Sequence, residues 1–252
     1  MDRIKVGLFG FGRTGMVVAQ EILRDTECEL CWVIRRSHRN EGEYASKILG
    51  FHHEEGRIFS LGCIDIDQFF EDNMVDIIID FSDSSAIILY KIIAEYGIRI
   101  VTAISDYDEY DLKLLAEISK ETAILHSPNI TLGINILIEA AKLLKRIIPE
   151  ADIHIVEEHF KEKKSVSGTA IRIAEDLGLD TEDHIKSIRV GGIVGTHEVI
   201  FGLPNQTIRI KHESLNRAAF GQGALYAAKW IMSKSKCLYS MEEAISEIAS
   251  MV

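Results

Sequence analysis

The spacing of hydrophobic residues changes repeatedly along this chain, and each change marks an element. Residues 4–9 form a continuous apolar run of buried-strand length, and residues 16–23 then carry apolar side chains at helical spacing. A second strand is expected at 29–34. Further strands at 75–80, 99–102 and 123–125 alternate with helices at 84–95 and 110–120, the rhythm of a parallel, doubly wound sheet. Near Ser127-Pro128-Asn129 the rhythm breaks. A helix over 133–148, closed by Pro149, leads to a strand in which Ile153 and Ile155 alternate with polar residues. Ile171, Ile173, Ala174 and Leu177 then lie on one face of a helix that stops at Gly178. Stretches 187–192, 197–201 and 207–212 predict strands joined antiparallel by glycine-containing turns, without parallel crossovers. Helices over 218–233 and 241–251 end the chain. The pattern predicts an α/β protein of two domains: residues 1–127 with 218–252, and an inserted α+β domain, residues 128–217, with a mixed, largely antiparallel sheet.

Composition narrows the class. The chain has 252 residues, 47% hydrophobic, with Gly 18 against Pro 3, as suits a cytosolic α/β protein. A net charge of −11 argues against a nucleic-acid or anionic-membrane partner. No run reaches the roughly 18 apolar residues of a membrane-spanning helix. Met1 leads straight into a strand, without the pattern of a signal peptide, and a cytoplasmic location is expected. Cys28 and Cys31 have CxxC spacing but lie in a strand-like run that points them to opposite faces, and His52-His53-Glu54-Glu55 reads as a solvated turn. No metal site is assigned.

Candidate chemistry gathers at two places. The first is Gly10-Phe11-Gly12-Arg13-Thr14-Gly15, a GxGxxG turn between a strand and a helix. Its glycines let backbone approach a pyrophosphate that rests on the helix N-terminus, so the first domain reads as Rossmann-type and dinucleotide-binding. An NAD-specific site would carry Asp or Glu near the end of the second strand; here stand Arg35-Arg36-Ser37, which suit a 2′-phosphate, so NADPH is expected over NADH. Asp80-Phe81-Ser82 and Ala103-Ile104-Ser105 fall at carboxyl ends of strands, where such sheets bind ligands. The second place is the polar loop from Glu157 to Ala170. There His159 can exchange a proton near neutral pH, Lys163 supplies a positive charge, and the N–H groups of Ser167-Gly168-Thr169 at a helix start can hold a carboxylate. A solvated loop with an ordinary N-cap serine is the competing reading.

Five motifs in order resemble those of the 4-hydroxy-tetrahydrodipicolinate reductase (dihydrodipicolinate reductase) family. Gly10 to Gly15 resembles its GxxGRMG turn, Asp80-Phe81-Ser82 its DF(S/T), and Ser127 to Asn135 its ANFSVGVN. Glu158-His159 through Ser167-Gly168-Thr169-Ala170 resembles its E-x-H-H-x-x-K-x-D-x-P-S-G-T-A signature, and Arg189 to His197 its RxGxIVGxH; Arg217 and Phe220 fall in its last motif. The resemblance implies a homotetramer joined through second-domain sheets, NADPH or NADH as cofactor, and a dicarboxylic cyclic imine as substrate in lysine and diaminopimelate biosynthesis. It implies His159 as proton donor, Lys163 as its aid, and Ser167, Gly168 and Thr169 as holders of a ring carboxylate. Ser82, Ala103, Ser105, Asn129, Arg217 and Phe220 would join the Gly-rich turn, Arg35, Arg36 and Phe81 around the cofactor, with Ser105 also near substrate. Departures are clear. The signature's second histidine is Phe160, its Asp-x-Pro is replaced by the one-shorter Lys164-Ser165-Val166, and its GTTG segment is Ala103-Ile104-Ser105-Asp106. A same-fold reductase of another cyclic imino acid, or an NADPH-binding regulator without turnover, therefore stays open beside the reductase itself.

Overall fold

The computed structural model describes residues 3–249 and folds as two compact units, Met1–Thr131 with Phe220–Ala244 and Leu132–Ala219 with Ile245–Val252. The sequence pattern instead places residues 218–252 with the first domain. In the first unit, β1 (Ile4–Phe9), α1 (Arg13–Arg24), β2 (Cys28–Arg35), α2 (Ala45–Ile48), β3 (Arg57–Ser60), α3 (Ile66–Asp72), β4 (Ile77–Asp80), α4 (Ile87–Glu95), β5 (Arg99–Thr102), α5 (Glu109–Ile118) and β6 (Ala123–His126) follow in order. The second unit supplies α6 (Leu132–Ile147), β7 (Asp152–His159), α7 (Gly168–Asp176), α8 (Thr181–His184), β8 (Ile185–Arg189), β9 (Thr196–Leu203) and β10 (Gln206–Glu213). The chain ends with α9 (Ala218–Ile231), β11 (Cys237–Tyr239) and α10 (Met241–Ala249). The expected continuation of α10 to Met251 lies outside the described residues. Among those described, no helix is long and apolar enough to cross a membrane.

The first unit's sheet has the order β11-β6-β5-β4-β1-β2-β3, parallel throughout. The order reverses on either side of β1, and the crevice beyond the carboxyl ends of β1 and β4 is where such sheets take ligands. Strands β3 and β11, four and three residues long, are not expected from the sequence pattern. The core packs around Trp32. Its ring lies 5.3 Å from Phe69 and 6.0 Å from both Phe9 and Phe70, and its indole N–H donates to the Asn73 carbonyl at 2.9 Å. Gly7, register partner of Trp32, has no side chain because that ring occupies the place a Cβ would take.

The second unit has the four-stranded sheet β10-β9-β7-β8. Strands β9 and β10 are antiparallel as expected. The expectation of no parallel crossover fails: β8 runs parallel to β7, with α7 and α8 as the crossover. The reason is that residues 187–192 are not one strand. Pairing stops at Arg189, and the real β8 starts at Ile185, hidden directly behind α8. Ile153, Ile155, Val199 and Phe201 face one way and bury against Ile134, Leu137 and Ile138 of α6 and Ile173 of α7. Fully burying such a side chain contributes about 1.5–3 kcal/mol.

Because the Trp32 ring is boxed in by three phenylalanines, it cannot yield to a new methyl group. Gly7→Ala should lower stability by about 1–3 kcal/mol, the usual range for overpacking. Urea unfolding should show a lower midpoint at unchanged slope, and an unchanged midpoint would contradict the packing described.

Candidate active site

Functional side chains fall into one group in each unit. In the first, the turn after β1 is held by backbone bonds to its neighbours: Gly10 N–H donates to Ile34 O at 2.9 Å, and Phe81 N–H to Phe9 O at 2.9 Å. Gly10 has φ +89, and a Cβ on it would stand 2.6 Å from Phe81 O; a Cβ on Gly15 would run into Gly10 O. Gly12 is different, with nothing within 4 Å of its would-be Cβ. It starts α1 without a side-chain cap, so the helix N-terminus opens onto free space. Phe11 is buried, while Arg13 and Thr14 are exposed and half-buried, respectively, in the first turn.

Beside this turn a small cavity is lined by Ile34, Arg35, Arg36, Ser82, Asp83 and Ser85. Arg35 donates to Arg39 O at 3.1 Å, and its Nε is buried without a hydrogen-bond partner. Exposed Arg36 is not idle: one amino nitrogen contacts both oxygens of Asp83 at 2.6 Å and Ser85 Oγ at 2.9 Å. An exposed pair of this kind contributes about 0–1 kcal/mol, so an incoming dianion can displace it. Ser82 is oriented by buried Asp80, which accepts from its N–H at 2.7 Å, its hydroxyl at 2.6 Å and Tyr90 Oη at 2.6 Å. Burial raises the Asp80 carboxyl to about 6 in spite of these bonds. Ala103 N–H donates to Asp80 O at 3.0 Å, Ser105 is exposed, and Asn129 Oδ1 accepts from the Thr131 hydroxyl at 3.0 Å. Phe220 is half-buried in this unit, whereas Arg217 is exposed and belongs to the second. Three observations fit a bound dinucleotide: glycines against backbone, an open space above Gly12, and an orphaned guanidinium N–H beside the crevice. The CxxC pair does not form a site. Burial raises Cys28 to about 12 and Cys31 to about 11, so both stay neutral thiols.

In the second unit the organising group is Glu157, a residue the sequence reading gave no role. It sits two residues before His159 on β7 and so points to the same face. Its carboxylate is fully buried and bonds His159 Nδ1 at 2.5 Å. Ser187, its register partner across the parallel β7–β8 pair, donates from Oγ to Oε1 at 2.6 Å, and Arg189, the register partner of His159, donates to Oε2 at 2.9 Å and Oε1 at 2.6 Å. Burial would raise the Glu157 carboxyl, but the bonds from Arg189, Ser187 and His159 outweigh it and bring it to about 2. Arg189 also donates to the carbonyls of Lys163 at 3.0 Å and Ser165 at 2.9 Å, which fastens the signature loop to the carboxylate. The imidazole is therefore not satisfied by a backbone carbonyl. Glu157 holds Nδ1, and Nε2 is left on the side of Gly195, whose would-be Cβ lies 3.1 Å away.

His197 is a second unassigned member of the group. Its ring stands edge-on to His159 at 5.4 Å, and its Nε2 pairs with Ser167 Oγ at 2.8 Å. Burial, and then the nearby His159, depress it to about 4, so it is neutral at physiological pH. Ser167 is thus not an ordinary cap. Its hydroxyl serves His197 and its N–H donates to Glu157 Oε1 at 3.3 Å, which corrects the expectation that this N–H is free for a carboxylate. Gly168 opens α7 with nothing within 4 Å of its would-be Cβ, Thr169 and Lys163 are half-buried, and Phe160 is exposed. Arg189 and His197 bracket a motif visible in the sequence, but that they converge on Glu157 and Ser167 depends on pairing across thirty residues.

Two groups here bind fewer protons folded than unfolded. Stability therefore rises with pH wherever they titrate. The His197 contribution is complete above its unfolded value of 6.5 and is lost as pH falls toward about 4; that of Glu157 is lost between 4.5 and about 2. The first amounts to about 3 kcal/mol at most. His197→Asn should flatten the fall in urea midpoint between pH 6.5 and 4, and a variant whose midpoint falls as steeply as the parent's would refute this origin.

Family models and sequence relatives agree on the family. A family model described as dihydrodipicolinate reductase, N-terminus, matches residues 4–130, and its C-terminal counterpart matches residues 133–245. The 4-hydroxy-tetrahydrodipicolinate reductase of Thermosipho africanus is 36% identical over 186 residues, which cover 73% of this chain and 85% of that protein. The enzyme of the same name from Caldanaerobacter subterraneus subsp. tengcongensis is 38% identical over 194 residues, 68% of this chain and 77% of that one. Among solved structures, a dipicolinate-bound dihydrodipicolinate reductase from a Paenisporosarcina species superposes with a TM-score of 0.78, covering 96% of this chain and 99% of that one, at 19% identity, and so shares the fold. With both family models matched in order over nearly its whole length, the chain belongs to the dihydrodipicolinate reductase family.

Proposed function

We propose that this protein is an NAD(P)H-dependent reductase that converts 4-hydroxy-tetrahydrodipicolinate to tetrahydrodipicolinate in lysine and diaminopimelate biosynthesis. The observation that carries the reading is the buried Glu157–His159 pair, anchored by Arg189, in a chain of this family. The reaction adds a hydride and a proton to a cyclic imine and loses water. The dihydronicotinamide supplies the hydride; the protein must supply position, charge and the proton. Gly10, Gly12, Gly15 and the start of α1 hold the pyrophosphate, and Phe81, Ser82 and Ala103 line its path. Arg35, with its unpartnered Nε, and Arg36, freed from Asp83, hold the 2′-phosphate and favour NADPH.

His159 is the proton donor. Glu157 holds Nδ1 and so keeps Nε2 toward the substrate, the orienting role a buried carboxylate plays beside other catalytic histidines. Lys163 and the start of α7 at Gly168 and Thr169 receive a ring carboxylate, with the Ser167 hydroxyl kept in place by neutral His197. A reductase of a related cyclic imino acid is the second reading. Phe160 favours it, because an exposed phenyl ring offers no hydrogen bond where the family's signature has imidazole. Turnover of freshly generated hydroxy-tetrahydrodipicolinate against a panel of cyclic imines separates the two. Failure on all of them, with NADPH bound, would leave a cofactor-binding regulator.

A positioned general acid contributes about 10²–10⁴-fold. His159→Gln should therefore lower kcat by about 10²-fold or more with little change in KM, the mark of an interaction made in the transition state. Lys163→Ala should harm both constants. Neither should weaken NADPH binding, and the same fluorescence titration should show NADPH binding tighter than NADH, with the preference reduced in Arg35→Ala. Near-normal turnover by His159→Gln would sink the proton-donor assignment, and tighter NADH binding the cofactor assignment.

A cytoplasmic homotetramer belongs to the same reading. Ile188, Val190 and Val194, at the end of β8 and in the turn to β9, leave apolar surface exposed in the isolated chain. Light scattering at micromolar concentration should give four times the 28.3 kDa chain mass; a monomer would refute it.

A further inference from the structure

A cluster in the first unit carries a separate inference. We propose that His38, Glu41 and Cys63 form a binding site for one divalent cation of the zinc class. The three come together because of strand register. Parallel β2 and β3 place Arg35 beside Ser60, and three residues beyond each, where both chains have left the sheet, stand His38 and Cys63. Glu41 joins them through a turn in which its N–H donates to His38 O at 3.3 Å. His38 Nδ1 lies 3.1 Å from Glu41 Oε2 and 3.4 Å from Cys63 Sγ, and the three donor atoms all lie within 4.8 Å of one another.

The two separations from His38 are close to those a tetrahedral ion requires. Bonds of about 2.0–2.1 Å to nitrogen and oxygen and about 2.3 Å to sulfur place N and O about 3.3 Å apart, and N and S about 3.6 Å apart. The His38–Glu41 and His38–Cys63 separations fall within about 0.2 Å of these values, and Glu41 and Cys63 lie within 4.8 Å of each other. The donor set selects the metal. A thiolate with an imidazole disfavours magnesium and calcium, which want oxygen, and suits zinc or cobalt. Three protein ligands leave a fourth position for water or an exogenous group, and all three side chains are exposed, so an ion can reach them. Binding displaces the thiol proton of Cys63. It would also tie the turn after β2, which follows Arg35 and Arg36, to the turn after β3. Nothing in the sequence pattern marks the site, since a His and a Glu three apart and a Cys 22 residues later match no familiar ligand spacing.

Cobalt(II) is the probe, because tetrahedral cobalt–thiolate coordination is coloured. Titration of the tag-free, reduced full chain should saturate at one equivalent. It should show a thiolate-to-cobalt charge-transfer band with intense visible d–d bands, and zinc should displace it. Cys63→Ser should abolish the charge-transfer band, and His38→Ala and Glu41→Ala should each weaken binding at least tenfold. Cys237→Ser, which removes the other exposed thiol, should bind as the parent does. Circular dichroism and NADPH binding identical to the parent's would show that these surface variants fold. No saturable binding, a weak octahedral spectrum, or a charge-transfer band retained in Cys63→Ser would each overturn the site.

Discussion

A carboxylate with no exposed surface is tolerable only if its charge is answered on the spot, and Glu157 shows how much of the second unit is committed to that answer. Taking an ion out of water costs several kcal/mol even after relaxation, and leaving one half of a buried pair alone costs about 3–5 kcal/mol. Arg189 supplies two amino groups, Ser187 a hydroxyl, Ser167 an amide and His159 an imidazole nitrogen. The donors come from three pieces of local structure: His159 from β7 itself, Arg189 and Ser187 from its parallel neighbour β8, and Ser167 from the start of α7. Satisfying one carboxylate therefore fixes the β7–β8 pairing, the path of the signature loop through Lys163 and Ser165, and the entry to the helix. The tilt and tautomer of His159 follow from the same bond. The parallel pairing that the hydrophobic pattern did not foretell is what brings Arg189 across.

The first unit works under a different constraint. Its crevice is shaped by close approach of backbone to backbone rather than by a buried ion pair. Gly10 and Gly15 are small because Phe81 and Gly10 carbonyls occupy the space of their side chains, and Gly12 is small with nothing of the protein above it. Charge enters at the rim, where Arg35 and Arg36 stand exposed or half-buried, and their partners are a backbone carbonyl and a solvent-facing Asp83. Such contacts exchange cheaply. The two units thus differ in kind: a glycine-lined crevice with replaceable contacts at its rim in one, and a buried carboxylate–imidazole pair with costly, satisfied contacts in the other. Two departures from the family pattern leave the buried network untouched. Phe160, and Lys164-Ser165-Val166 in place of Asp-x-Pro, lie in the exposed part of the loop. His159, which the buried network holds, is kept.

By itself the sequence determined what is local. Helices could be read because a period of 3.6 declares itself within about a dozen residues, and most buried strands because they are short apolar runs between helical patterns. The glycine turn was legible because strand, turn and helix are adjacent in the chain, and His159 and Lys163 because they share one loop. Only the tertiary structure decided what depends on register. Strands β3 and β11 exist because a neighbouring strand pairs with them. Arg189 reaches Glu157 from 32 residues away, and Ser167 finds His197 at a separation of 30. Cys63 meets His38 because β2 and β3 run side by side for four residue pairs. Such meetings are set by hydrogen bonding between strands, and the free energy that selects them comes from burying whole sheet faces, which no short window of sequence contains.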